Sequence, residues 1–177
     1  MVELMPATHR ASVEDVWSWL CEVPDPEIPV VSVVDLGIVR NVSWASEDDA
    51  APLIVAITPT YSGCPAMEVI ADDIRGALRQ HGIVRVELKW QLSPAWTTDW
   101  LSEAGRTKLQ GYGIAPPARG EHPVDVSRLL HRLEPRICCP KCSSPRVTLI
   151  SQFGSTPCKA LYRCASCLEP FDYFKCH

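Results

Sequence analysis

Nine cysteines occur in a chain of 177 residues, and seven of them fall after position 137. Cys139-Pro140-Lys141-Cys142 and Cys164-Ala165-Ser166-Cys167 form two C-x2-C pairs separated by 21 residues. Each pair predicts a tight turn that aims two thiolates at one point. Four such sulfurs make a tetrahedral cage for one ion, with zinc–sulfur bonds of ~2.3 Å. Spacing favours one zinc ion per chain at Cys139, Cys142, Cys164 and Cys167. An iron–sulfur cluster on the same four cysteines is the alternative, because clusters prefer soft thiolates as zinc does. Cys158, Cys176 and His177 are available as extra ligands, and Cys138 is expected to be a packed or exposed thiol.

An isolated thiol, Cys64, follows the loop Thr58–Gly63 and precedes an apolar stripe at helical spacing. A cysteine at a helix N-terminus faces unpaired N–H groups, which favour thiolate over thiol. Cys64 is therefore a candidate nucleophilic or metal-binding thiol. Glu27 and Asp35 sit on other loops that could converge on it, although Asp35 could equally cap a turn before Gly37. No histidine lies near Cys64 in sequence, which argues against a cysteine hydrolase. Cys21 is expected to be buried on the first helix.

The elements that position these groups are legible from pattern. Ser12 caps a helix whose apolar face is Val13, Val16, Trp17 and Leu20. Pro24, Pro26 and Pro29 end it. Val30–Trp44 reads as extended chain and strand interrupted by Asp35-Leu36-Gly37, and Leu53–Ile57 as a short buried strand. Pro65 suits the first position of a second helix with the stripe Met67, Ile70, Ala71, Ile74 and Leu78. Val84, Val86, Leu88 and Trp90 alternate as a half-buried strand, and a third helix is expected from Thr97 or Thr98 to about Leu109. The order α-β-β-α-β-α predicts an α+β fold: a small mixed sheet of three to four strands with packed helices. Its early strands form a hairpin, and residues 53–90 form a parallel crossover. Residues 1–112 make this domain, 113–135 a Pro/Gly-rich linker with a helical turn or two at Val126–Leu133, and 136–177 a zinc-ribbon minidomain with strands at Arg146–Phe153 and Ala160–Arg163. So small a unit needs metal to fold.

Charge separates the same two units. Residues 1–135 hold 11 Lys+Arg against 19 Asp+Glu, and residues 136–177 hold 6 against 2. The acidic first part argues against phosphate binding there. The ribbon's net +4 falls to about +2 once four thiolates and one zinc ion are included, so nucleic-acid binding ranks last. No apolar run approaches ~20 residues and no secretory leader is visible, so the expectation is a cytoplasmic protein without membrane contact. No Glu-x-x-His helix pair for di-iron and no Gly-x-Gly-x-x-Gly loop for a dinucleotide occurs, and the chain reads as an accessory part rather than an enzyme.

Asp25-Pro26-Glu27-Ile28-Pro29-Val30, Val34-Asp35-Leu36-Gly37-Ile38-Val39, and Thr58-Pro59-Thr60 with Cys64-Pro65 resemble the SufT-like iron–sulfur assembly domain. Pro59–Met67, Pro94–Trp100, Tyr112–Pro117 and Phe153–Cys164 resemble the PaaD family of the phenylacetyl-CoA ring-epoxidase (phenylacetate-CoA oxygenase) system over nearly the whole chain. The resemblance implies a part in aerobic phenylacetate catabolism, an aromatic-compound degradation. It also implies delivery of an iron–sulfur cluster or iron to the epoxidase's reductase or oxygenase component, with those components and the iron–sulfur assembly machinery as partners. The reductase of that system carries flavin and a [2Fe–2S] cluster. Cys64, with Asp35, Thr60 and Glu27, would be a transient metal or persulfide site. A structural or regulatory subunit of the epoxidase is the rival reading, and a homodimer is compatible with either.

Overall fold

The structure is a computed structural model, and it describes residues 10–118 and 137–175. Helix α1 (Val13–Leu20) starts at a reciprocal cap: the Ser12 hydroxyl accepts from the Asp15 N–H at 3.0 Å, and the Asp15 carboxylate accepts from the Ser12 N–H at 3.2 Å. It buries Val16 and Leu20, while Cys21 caps its C-terminus and is exposed, contrary to the burial expected from sequence. The apolar stripe ends at Leu20, so the next position already turns away from the core.

Strands β1 (Val39–Trp44) and β2 (Leu53–Ile57) form an antiparallel hairpin, and β3 (Val86–Trp90) joins β2 in parallel. The crossover is helix α2 (Met67–Gln80), which buries Met67, Ile70, Ala71, Ile74 and Leu78. Both helices cover this three-stranded sheet. Helix α2 starts two residues later than Pro65 suggests, because Cys64-Pro65-Ala66 is taken up by turn structure.

The segment before β1 is held by side chains and by one short antiparallel bridge between Pro24 and Ser32, not by a full strand. Asp25 Oδ1 accepts from the N–H groups of Glu27 and Ile28 at 2.9 and 2.8 Å, which curls the Pro-rich loop. Asp35 exchanges bonds with Ser32 in both directions at 3.0 Å. These turns stop the strand from beginning at Val30; it begins at Val39.

Residues Thr98–Trp100 make a single 3-10 turn, and helix α3 (Glu103–Tyr112) starts only after Ser102, whose hydroxyl accepts from Gly105 N–H at 2.8 Å. The start at Thr97 or Thr98 fails because a stronger cap lies four residues on. Asp35 ties this segment to the core. It accepts from the Ser102 hydroxyl at 3.0 Å and from Lys108 Nζ at 2.6 Å, while its carbonyl takes the Ser102 N–H. Gly37 has φ +66°, and a Cβ there would lie 2.5 Å from the Trp100 carbonyl oxygen, so both the turn and the close approach require glycine.

A second sheet has the order β4-β7-β6-β5. Strands β5 (Val147–Ser151), β6 (Lys159–Cys164) and β7 (Pro170–Phe174) are antiparallel neighbours and form the ribbon. The sequence pattern does not announce strand β7: Pro170-Phe171-Asp172-Tyr173-Phe174 opens on a proline and is only five residues long. Strand β4 (Ile114–Ala115) pairs in parallel with β7. It lies within the stretch expected to be linker, so the sheet of the ribbon is anchored directly after α3. The turn expected at Val126–Leu133 lies outside the described residues.

Two apolar clusters result. The larger lies between the first sheet and its helices, and it takes in Cys158 and Phe174 from the ribbon. The smaller is the ribbon's own: Ala115, Ile137, Cys139, Ala160, Cys164, Phe171 and Tyr173. Phe174 meets Trp96 edge-on at 6.1 Å between ring centroids, and the Trp96 indole N–H donates to the Leu36 carbonyl at 2.8 Å.

Burial alone would raise the Asp35 carboxyl, but the bonds from Lys108, Ser32 and Ser102 outweigh it and hold it below its ordinary value. Its unfolded value is the higher one, so its contribution is present above about pH 4 and is lost as pH falls through the folded value. Asp35→Asn is expected to cost about 1–3 kcal/mol in urea unfolding at pH 7. The gap from wild type should close below about pH 4.

Candidate functional site

At the tip of the ribbon, the turns Cys139–Cys142 and Cys164–Cys167 face each other. All four sulfurs lie within 4.8 Å of one another. Cys139 and Cys167 Sγ are 3.7 Å apart, and Cys142 and Cys164 Sγ are 3.5 Å apart. A tetrahedron with ~2.3 Å metal–sulfur bonds has sulfur edges of ~3.8 Å, so the four thiols fit a single tetrahedral ion. A multi-iron cluster spreads its cysteines over separate irons and needs wider spacing. Cys164 Sγ accepts from the N–H groups of Ser166 and Cys167 at 3.3 and 3.5 Å. The Cys167 N–H, the Ser166 N–H and the neighbouring Cys142 and Cys167 side chains together lower its thiol to about 6 against opposing desolvation. Among the described residues this is the one group of three or more metal-ligating side chains gathered closely enough for an ion.

Cys158 is not part of that group. It lies at the foot of β6, buried against the larger core, and its Sγ is 3.5 Å from Glu27 Oε2 and 3.0 Å from Thr156 Oγ1. The Lys175 N–H bonds to the Cys158 carbonyl at 2.9 Å, which fixes this end of the β6–β7 pair. Cys138 is exposed. Cys176 and His177 lie outside the described residues.

The first unit brings Cys64, Thr60 and Glu27 together. With Asp25, Cys158 and Phe174 they border a small cavity of about 10 Å³, walled otherwise by Ile28, Leu36, Ile38, Met67 and Ile70. That volume is about one water-sized probe. Asp35 does not join them. Its carboxylate is committed to Ser32, Ser102 and Lys108, and its role is to fasten the loop.

Cys64 is half-buried on the turn before α2. Burial raises its thiol most. The Ala66 N–H and the Tyr61 hydroxyl bond to the sulfur and oppose this, while the charges of Glu27 and Asp25 add to the rise. The net direction is upward, the reverse of the helix-start expectation. The helix begins at Met67, past Cys64, and two carboxylates face the thiol from the Pro-rich loop. Burial likewise raises Asp25, and burial with Glu27 pushes Cys158 up to about 11.

Sequence reasoning misses Asp25 and leaves Cys158 among the ribbon ligands. The available signal for Cys158 is its phase: it precedes β6 by one residue and so lies outside both C-x2-C turns.

A SufT-type α+β unit carrying a four-thiol ribbon defines an iron–sulfur assembly domain fused to a zinc-ribbon-like module. In keeping with this, residues 13–88 match the iron–sulfur cluster assembly protein family, and residues 123–175 match the PaaD zinc beta ribbon domain. A protein of Escherichia coli (strain K12) named as a component of 1,2-phenylacetyl-CoA epoxidase is 50% identical over 164 residues, 93% of each chain. The chain therefore belongs to the PaaD family. An Fe-S protein maturation auxiliary factor of Porphyromonas gingivalis (strain ATCC BAA-308 / W83) is 34% identical over 54% of this chain and 89% of its own. The factor YitW of Bacillus subtilis (strain 168), which bears the same description, is 31% identical over 57% and 96%. The solved conserved hypothetical protein TM0487 from Thermotoga maritima superposes with a TM-score of 0.47 at 31% identity, over 56% of this chain and 95% of that one. No helix among the described residues is long and apolar enough to cross a membrane.

The ribbon's core of seven buried residues is too small to hold without its ion. Stripping metal with a strong chelator is expected to melt β5–β7. The alkylation rate of Cys158 should then rise at least tenfold by peptide mass mapping, because its cover is the β6–β7 pair.

Proposed function

We propose that this protein is an accessory maturation factor of the phenylacetyl-CoA epoxidase system, delivering an iron–sulfur cluster or iron to the epoxidase, with the reductase component as its first target. One observation carries the proposal: Thr60 and Cys64 from one loop and Glu27 from another meet at a small cavity in the unit that matches the iron–sulfur assembly family. The E. coli relative's name ties that unit to the epoxidase. Cys64 supplies the transient bond to cargo, a thiolate–metal bond or a persulfide. Thr60 and Glu27 give it a hydroxyl and a carboxylate. Nothing in this set performs the epoxidation, and the protein is not the catalyst.

The four ribbon thiolates hold one zinc ion, which supplies a rigid crosslink and no redox chemistry. Their 3.5 and 3.7 Å sulfur contacts support a mononuclear site over a cluster. The three parts are the assembly domain at 1–112, a connection at 113–135 whose first residues supply β4 to the ribbon's sheet, and the ribbon at 136–177. The exposed Ile150 of the outer strand β5 and Phe153 just past its end offer an apolar edge for another component of the epoxidase. That edge also favours a second reading, a structural subunit bound by contacts alone. The setting is the cytoplasm, where free thiols persist.

The two readings separate on one substitution. Cys64→Ser should leave folding, zinc content and complex formation unchanged. In cells co-producing the reductase, it should lower [2Fe–2S] occupancy severalfold by absorbance and iron analysis. Full occupancy would reject the maturation role of Cys64 and favour the structural reading.

A further inference from the structure

The ribbon does more at the Cys64 site than cover it. Cys158 comes from the far unit, 131 positions from Glu27, yet its thiol faces that carboxylate. It is buried within the larger core and borders the same one-atom cavity as Cys64. Cys64, Cys158, Glu27 and Thr60 thus all border one space of about 10 Å³.

We infer that Cys158 is the ribbon's ligand to the Cys64 site, and that Cys64, Cys158 and Glu27 together hold one divalent transition-metal ion between the two units. This rests on the proposed role of Cys64 and specifies its ligand. Two thiolates and a carboxylate select a borderline cation such as ferrous iron, cobalt or zinc over magnesium or calcium. Three protein ligands leave a position open for exchange, as a delivery site requires and the closed ribbon site does not offer. These donors are not gathered as tightly as the four ribbon sulfurs, so binding turns the side chains of Cys64, Cys158 and Glu27 toward one point within the packed junction.

The electrostatics agree. Burial raises Asp25, Cys64 and Cys158 together, and Glu27 adds to the rise of each thiol. The cations near this set are Lys159, which opposes the rise at Cys158 and Asp25 but whose Nζ is turned toward Asp172 at 4.0 Å, and Lys175, whose Nζ donates to the Gln152 carbonyl at 2.9 Å. A buried set of acids and thiols with so little compensation is stabilised by a cation at its centre. Binding replaces the proton on each thiol with a metal–sulfur bond, so protons are released to solvent and affinity falls as pH drops.

Cobalt(II) is a suitable probe because thiolate ligation gives it strong charge-transfer absorption. The full chain is first loaded with one zinc, then titrated anaerobically with cobalt while zinc retention is measured on the same sample. One further equivalent of cobalt with a thiolate-to-cobalt band is expected. Cys158→Ser and Cys64→Ser should each weaken it at least tenfold. In the wild-type chain, bound cobalt should slow alkylation of Cys64 and Cys158 together at least tenfold, a readout that needs no substitution in the core. No additional cobalt in wild type overturns the inference, as does protection of Cys64 alone or unchanged binding in a folded Cys158→Ser chain. In the last two outcomes the proposed role of Cys64 still stands. That role fails separately, when Cys64→Ser leaves reductase cluster occupancy full.

Discussion

The candidate site depends on one packing event: Phe174 and Cys158 of the ribbon entering the core of the first unit. Phe174 is 2% exposed and Cys158 5%, values that their own small cluster could not provide. Burying a phenylalanine side chain stabilises by about 1.5–3 kcal/mol, comparable to the marginal stability of so small a module. The parallel β4–β7 pair sets the register of this docking. Trp96 completes it by filling the space between Phe174 and the Leu36 carbonyl. The cavity beside Cys64 exists because these contacts are made.

The first unit supplies the opposite constraint, a loop frame held by carboxylates. Asp25 and Asp35 both accept backbone N–H bonds from residues two or three positions away, but their settings diverge. Asp35 gains Lys108 and sits below its ordinary value; Asp25 has no such partner close by and sits above it. One motif chemistry thus produces a fastening and a site wall. The difference is set by α3, which delivers Lys108 to one loop and not the other.

Local signals are legible in the sequence wherever a single element decides the outcome. The Ser12 cap, the α2 stripe, the β1–β2 hairpin, the β2–β3 crossover and the four ribbon cysteines follow from spacing alone. Boundaries fail where side chains override propensity: Asp25 and Asp35 replace the strand start near Val30, and Ser102 moves the start of α3. The convergence of Thr60 and Glu27 on Cys64 needs the family motifs. The membership of Cys158 in that cluster is invisible, since no periodicity records which of two cores a residue enters. Asp35 shows the converse. A carboxylate on a loop reads the same in sequence whether it faces a thiol or a lysine.

The contact between Glu27 and Cys158 spans 131 positions, whereas the first unit closes its sheet within residues 39–90. Local pairings form early and long-range ones late, because loop closure costs entropy before the contact rewards it. During synthesis the first unit therefore completes its framework while the ribbon is still being made. The junction needs the folded ribbon, whose own core is small, and so closes last. Order of assembly thereby acts as quality control: a chain whose ribbon has not folded also lacks the finished wall beside Cys64.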